Sequence, residues 1–316
     1  MKNITFQNGD QMPLLGLGTW KSEEGELYKA IREAIHIGYR HFDCAARYEN
    51  EAEVGQALSD AIQAGDVQRE DLWITSKLWN NKHKKEDVGI GLSDTLKDLQ
   101  IDYIDLFLMH WPIALPPHII FPANGSEFLS LDEVPLSETW QAMEKFVDDG
   151  SCKNIGVSNF SISKIKAMDD YARLPPACNQ VEMHPMLQQQ DLVDFCQQKN
   201  IAMTAYSPLG SLDRPARLKK EAEPMLLEHP VIDEIAKRRD CTPAQVLISW
   251  SIHRGVAVIP KSTNPKRLKE NFAAQDVPLA QEDMDAIAQL DKGFRFIDGT
   301  FWTVEGSPYT LQELWD

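Results

Sequence analysis

Eight short β-rich runs, at 14–19, 41–44, 72–77, 104–110, 154–159, 178–183, 202–207 and 256–262, alternate along this chain with stretches whose apolar residues recur at helical spacing. Leu27, Ile31, Ala34 and Ile35 lie at i, i+4, i+7 and i+8, and Val88, Leu92, Thr95, Leu96 and Leu99 repeat the pattern, so each set forms one apolar stripe of a helix. Strand followed by amphipathic helix, repeated in this way, requires right-handed βαβ units and a parallel sheet. Closing that sheet gives an α/β fold of the (β/α)8 TIM-barrel type; an open doubly wound sheet is the alternative. The barrel is preferred because no G-x-G-x-x-G turn follows the first run, whose Gly16-Leu17-Gly18 lies inside the strand.

The ends of the runs carry consistent punctuation. Gly150 stops the helix that starts near Ser137, while Thr242-Pro243 and Asn264-Pro265 start the helices that follow them. Ahead of the barrel, 4–6 and 11–14 flank Asn8-Gly9 and predict a β-hairpin that plugs the barrel bottom. The intervals 110–158 and 206–261 are long, and the tail after Asp291 is aromatic and irregular, which predicts long loops over the C-terminal face of the barrel. Segment 111–135 is rich in Pro and apolar residues and reads as a packed lid rather than a linker. Residues 1–316 are therefore read as one barrel domain.

The chain has 48 Asp and Glu against 32 Lys and Arg, a net charge of −16 that repels nucleic acid and anionic membrane surfaces. An anionic ligand requires a local basic pocket. Five scattered cysteines without a C-x-x-C pair argue against a disulfide framework or a structural zinc site. No basic leader and no long apolar run is present, so a cytoplasmic protein is expected, acting as a monomer on a small molecule.

In an α/β barrel the site lies at the carboxyl ends of the strands, so the polar residues that close each run are the candidates. These are Asp43, Tyr48 in the loop beyond it, Lys77, His110, Ser158, Asn159, Gln180, Tyr206 and Lys261. A phenol is a weak acid near neutrality, and an ammonium such as Lys77 lowers its pKa; Asp43 is available to keep that ammonium charged. His110 can donate a hydrogen bond to a carbonyl oxygen. Taken singly, each residue has a structural explanation in packing, turn formation or solvation. Their fall on adjacent strand exits of one barrel favours the chemical reading. Trp20, Trp79 and Trp111 stand at or just beyond strand exits on the same face and Trp302 lies in the tail, which suggests an apolar substrate pocket.

The chain resembles the aldo-keto reductases, and within them the aldehyde reductase and aldose reductase group. The densest match is Gly38-Tyr39-Arg40-His41-Phe42-Asp43-Cys44-Ala45, followed by Tyr48-Glu49-Asn50-Glu51. Ile74-Thr75-Ser76-Lys77-Leu78-Trp79, Leu108-Met109-His110-Trp111-Pro112, Gly156-Val157-Ser158-Asn159-Phe160, Gln180-Val181-Glu182-Met183-His184-Pro185, Tyr206-Ser207-Pro208-Leu209-Gly210-Ser211 and Ile259-Pro260-Lys261-Ser262 continue it in order. The resemblance implies a catalytic tetrad of Asp43, Tyr48, Lys77 and His110. It also implies hydride transfer from a nicotinamide to a carbonyl carbon, with Tyr48 as the proton donor. Neither H-E-x-x-H nor an H-x-H pair suggests a metal.

By the same resemblance, Thr19 and Trp20 flank the cofactor, Ser158, Asn159 and Gln180 hold the nicotinamide carboxamide, and Tyr206 stacks on its ring. Ser207, Leu209, Ser211 and Asp213 line the pyrophosphate tunnel. Lys261, Ser262, Thr263, Asn264, Arg267 and Asn271 hold the adenosine end. Lys261 and Arg267 are the local cations that a 2′-phosphate needs, hence NADPH. The substrate would meet Trp20, Arg47, Trp79, His110, Trp111 and Trp302. Arg47 departs from the family pattern: it pairs with Glu49 at the rim, or attracts substrates with an anionic group remote from the carbonyl. Two rival readings are a cofactor-binding regulatory or structural protein on the same scaffold and a metal-dependent barrel hydrolase. The complete tetrad and the missing ligand pattern weigh against them.

Overall fold

A computed structural model describes residues 2–212, 214–216, 219 and 223–316. The chain opens with an antiparallel hairpin, β1 (Asn3–Thr5) and β2 (Gln11–Pro13), turned at Asn8-Gly9. Gly9 has φ +90, a left-handed conformation that glycine adopts without steric cost, and the Gly9 amide donates to the Phe6 carbonyl at 3.0 Å. Phe6 stacks on Trp73 with ring centroids 5.1 Å apart and Met12 is fully buried, so the hairpin closes the amino-terminal end of the barrel.

The barrel strands are β3 (Leu17–Gly18), β4 (His41–Asp43), β5 (Trp73–Leu78), β6 (Ile104–Met109), β7 (Cys152–Ser158), β8 (Cys178–Glu182), β9 (Ala202–Tyr206) and β10 (Ala257–Val258), each paired in parallel with the next. Parallel bridges from Leu15 to Val258 and from Gly18 to Lys261 join the first strand to the last. The (β/α)8 barrel is thereby closed. The connecting helices include α1 (Glu26–Ile37), α2 (Glu51–Gln63), α3 (Val88–Leu99), α4 (Leu136–Asp148), α5 (Ile162–Met168) and α6 (Gln190–Gln198), followed by α7 (Pro230–Arg238), α8 (Pro243–His253), α9 (Pro265–Ala273), α10 (Gln281–Ala288) and α11 (Leu311–Trp315). Thr242 caps α8 in a reciprocal box with Gln245, and the Asn264 side chain accepts from the Arg267 amide to cap α9.

Helix α7 is not anticipated by the strand–helix alternation; it fills part of the interval expected to be loop. Its buried Ile232, Ile235 and Ala236 form a narrow stripe behind His229-Pro230. Segment 111–135 does form a packed cover. Trp79, Trp111, Ile113, Leu115, Phe128, Ile297, Trp302, Tyr309 and Leu314 make a second apolar cluster that binds this segment to the tail. Tyr309 reinforces it, donating its hydroxyl to the Leu129 carbonyl at 2.6 Å and accepting from the Ala114 amide at 2.8 Å. Among the described residues, no helix is long and apolar enough to cross a membrane.

Candidate active site

In-register residues of neighbouring strands share a face, and the face alternates along each strand. The pairings Gly18 with Asp43, Asp43 with Thr75, Lys77 with Leu108, Leu108 with Gly156, Ser158 with Gln180 and Gln180 with Thr204 therefore trace one inner surface. Asp43, Lys77, Ser158 and Gln180 belong to it at the carboxyl ends of their strands. His110, two residues beyond Leu108, and Tyr206, two beyond Thr204, extend it upward.

At its centre lies Lys77, which is 1% exposed. Its Nζ donates to Asp43 Oδ1 at 2.6 Å, to the Cys44 carbonyl at 2.7 Å and to the Tyr48 hydroxyl at 3.3 Å. An ammonium has three protons, so this set engages every one and points one at Tyr48. The other Asp43 oxygen accepts from Gln180 Nε2 at 2.6 Å. Burial by itself would depress the Lys77 pKa, but the Asp43 carboxylate and the Tyr48 hydroxyl together outweigh it and raise the value, so the ammonium stays charged.

For Tyr48 the balance differs from the expectation that Lys77 sets it. Burial pushes the hydroxyl up to about 12, and Lys77 pulls against that shift without reversing it. Tyr48 thus rests as a protonated donor. Burial, reinforced by nearby Lys77, holds His110 well below the usual histidine range, so its imidazole is neutral. The His110 ring lies 6.0 Å from Tyr48 and 5.0 Å from Trp79 between centroids.

These groups lie at one end of a cavity of about 810 Å³. Trp20, Arg47, Trp79, Trp111 and Trp302 line that end, as do Phe121, Ile297 and Phe301, which the sequence reading misses. Only their position in aromatic loops hints at their role, because loops have no period. Arg47 is paired with Glu49 at 3.0 Å and lies 5.7 Å from the centroid of the Trp79 ring. His184, outside the cavity, is hydrogen-bonded to Glu182 at 2.8 Å.

The cavity then runs past Thr19, Ser158, Asn159, Gln180 and Tyr206 to Ser207, Leu209 and Ser211, and on to Lys261, Ser262, Thr263, Arg267 and Asn271. The Tyr206 hydroxyl donates to Asn159 Oδ1 at 2.8 Å, and Asn159 Nδ2 donates to the His110 carbonyl at 2.9 Å. Ser158 Oγ donates to the Gln180 carbonyl at 2.8 Å. A Cβ on Gly18 would fall 2.8 Å from the Ile259 carbonyl, so glycine is what lets the barrel close beside the cavity floor. Asn264 is absent from the wall because its side chain caps α9. Asp213 lies outside the described residues. Neither Lys261 nor Arg267 has an ion-pair partner among the described residues; Arg267 Nε reaches Ser262 Oγ at 3.5 Å. Among those residues, no group of three or more His, Cys, Asp or Glu could hold a metal ion.

A closed barrel with a deep cavity at the carboxyl ends of its strands, lined by Asp43, Tyr48 and His110 with Lys77 hydrogen-bonded behind them, has the architecture of a barrel enzyme. The family model described as the aldo/keto reductase family matches residues 14–292. An aldo/keto reductase of Synechocystis sp. is 52% identical over 316 residues, covering 100% of this chain and 97% of its own. Aldo-keto reductase family 1 member A1 of Gallus gallus is 45% identical over 307 residues, 96% of this chain and 93% of its own. The Bos taurus protein of that name is 45% identical over 296 residues, 93% and 90% of the two chains. The chain belongs to the aldo/keto reductase family. It is an oxidoreductase of the carbonyl-reducing kind, acting on small carbonyl substrates.

Proposed function

We propose that this protein reduces aldehydes, and by the same route ketones or aldoses, with NADPH as the reductant and Tyr48 as the proton donor. The observation that carries this reading is the Lys77 ammonium held between Asp43 and the Tyr48 hydroxyl at 2.6 and 3.3 Å. The cavity fits a dinucleotide: it is long, aromatic beside Tyr48 and cationic at Lys261 and Arg267. With Gln180 Nε2 committed to Asp43, its Oε1 remains to accept from a carboxamide, and Tyr206 offers a ring for stacking. When bound there, the nicotinamide would supply the hydride to the carbonyl carbon.

The chain supplies the rest. Neutral His110 orients the carbonyl oxygen through a donated hydrogen bond. As negative charge grows on that oxygen it becomes a stronger base than tyrosinate, and Tyr48 transfers its proton. The Lys77 ammonium stabilises the tyrosinate left behind, while the tryptophans around the site keep water from competing for the charge.

The test is loss of 340 nm absorbance with NADPH and an aromatic aldehyde. Tyr48→Phe is expected to lower kcat by about a thousandfold or more while NADPH binding, followed by quenching of tryptophan fluorescence, stays within about twofold. Turnover unchanged in Tyr48→Phe would remove Tyr48 from the chemistry. NADPH binding with no turnover of any carbonyl by the wild type would instead favour a cofactor-binding regulatory or structural role.

Lys261→Ala with Arg267→Ala is expected to cut the preference for NADPH over NADH by about a hundredfold, the loss of two charge-assisted contacts to the 2′-phosphate. An unchanged ratio of kcat/KM for the two cofactors would overturn that assignment. The exposed Arg47–Glu49 pair is weak enough for Arg47 to turn toward an anionic substrate group. Arg47→Val is accordingly expected to reduce kcat/KM more for aldehydes bearing a carboxylate than for neutral ones. Equal losses would count against this role.

A further inference from the structure

Tyr48 reaches the cavity on a short span between β4 and α2. The 3-10 turn Ala46–Tyr48 is followed by Glu49, whose φ of +57 is left-handed, and α2 begins at Glu51. The Asn50 side chain donates to the Thr19 carbonyl at 2.9 Å, which fixes the span beside the exit of β3. Glu51 fixes it on the other side. One oxygen of its buried carboxyl group accepts from the Ser76 hydroxyl of β5, and the other accepts from the Thr95 hydroxyl of α3 at 3.1 Å. One turn further along α2, a Cβ on Gly55 would run into the Asp98 carbonyl, so α2 and α3 meet backbone to backbone and the start of α2 has little room to shift.

Ser76 and Lys77 are consecutive in β5, so their side chains leave opposite faces of the strand. Lys77 reaches Tyr48 on one face, and Ser76 reaches Glu51 on the other. The span and the strand are therefore joined twice, directly through Tyr48 and Lys77 and again through Glu51 and Ser76. At 3.3 Å the direct bond is long for its kind, so a small outward drift of the span would break it. We propose that Glu51, bonded to Ser76 and Thr95 outside the wall of the site, is a positioning residue that holds Tyr48 within reach of the Lys77 ammonium. Glu51 does not line the cavity and acts only through the span it anchors. Glutamine can serve the same two hydroxyls, accepting from one and donating to the other, whereas leucine can serve neither. This inference rests on the proton-donor role of Tyr48 proposed above.

A crystal structure of Glu51→Leu with NADPH bound is expected to show the Tyr48 hydroxyl beyond hydrogen-bonding reach of Lys77. Single-turnover oxidation of bound NADPH by an aromatic aldehyde should slow about tenfold, with NADPH affinity within about twofold, and Glu51→Gln should recover most of the rate. A general loosening of the fold would act in any background, but a loss routed through Tyr48 has nothing left to remove in Tyr48→Phe, so the effect of Glu51→Leu should vanish in that double variant. If Glu51→Leu does not fold, Ser76→Ala, which cuts the tie to β5 alone, should show the same displacement of Tyr48 and a slower single turnover. An unmoved Tyr48, a full rate in the variant that folds, no recovery in Glu51→Gln, or a loss that persists undiminished in Tyr48→Phe overturns the proposal. If Tyr48 moves away from Lys77 but Tyr48→Phe retains full activity, the proton-donor role fails and the placement of Tyr48 by Glu51 stands.

Discussion

Glu51 shows how far burial alone moves a residue's chemistry. It lies in the first turn of α2, 4% exposed, accepting hydrogen bonds from Ser76 and from Thr95, the latter at 3.1 Å. Burial pushes its carboxyl up to about 7 against those two hydroxyls, which pull it down. Between its unfolded value of 4.5 and 7 the folded protein keeps a proton that the unfolded chain has released. Stability from this group is therefore complete below 4.5 and is lost as pH rises through 7. Glu51→Gln is expected to be nearly neutral at pH 4.5 and to stabilise by up to about 3 kcal/mol at pH 8, read from urea unfolding at both values. A stability difference that does not change with pH would contradict this. At Tyr48 the protonated form is the active one and burial pushes its pKa up to about 12. The Tyr48 limb of the kcat/KM profile for reduction should accordingly stay flat from about pH 6 to 9. A decline through that range that is absent in Tyr48→Phe residual activity would show a lower Tyr48 pKa.

Among the elements, β8 couples the barrel to the tail. Its last residue, Glu182, is fully buried and accepts from the amides of Phe296 and Ile297 at 2.7 Å each, and from His184 at 2.8 Å. Ile297, Phe301 and Trp302 line the cavity, so this carboxylate holds one wall of the site in place. Glu182→Gln puts an amide donor where one of those donors must bond. The expected cost is about 2 to 4 kcal/mol, with faster hydrogen exchange across 294–302 and a raised KM for carbonyl substrates while NADPH affinity is preserved. Exchange confined to wild-type rates would separate the tail from Glu182. The boundaries of such elements were unevenly legible beforehand. Thr242-Pro243 and Asn264-Pro265 announced α8 and α9 because cap chemistry is local. Helix α7 is not legible in the sequence because its buried stripe is short, and the tail has no period because it follows the shape of the cavity.

On the scale of the whole molecule, stability and chemistry occupy opposite ends of the barrel. Phe6 and Met12 of the hairpin seal the bottom, while Tyr48 and His110 face the cavity at the top with Lys77 buried behind Tyr48. Phe6→Ala is expected to cost about 3 kcal/mol in unfolding free energy, through the lost stacking on Trp73, and to leave kcat/KM within about twofold. A large change in kcat/KM with little loss of stability would refute that separation.

The amino-acid sequence by itself determined the eightfold alternation, the hairpin turn and the strand-end identity of Asp43, Lys77, His110, Ser158 and Gln180, because these depend on periodicity and on residues near one another in the chain. Only the tertiary structure decided what those groups are once assembled. Barrel closure brings Gln180 to Asp43 across 137 positions and surrounds Tyr48 so that desolvation outweighs the pull of Lys77. It draws Phe121 and Phe301 from distant loops into one wall. Each of these depends on distance and exclusion of water, which sequence separation does not encode.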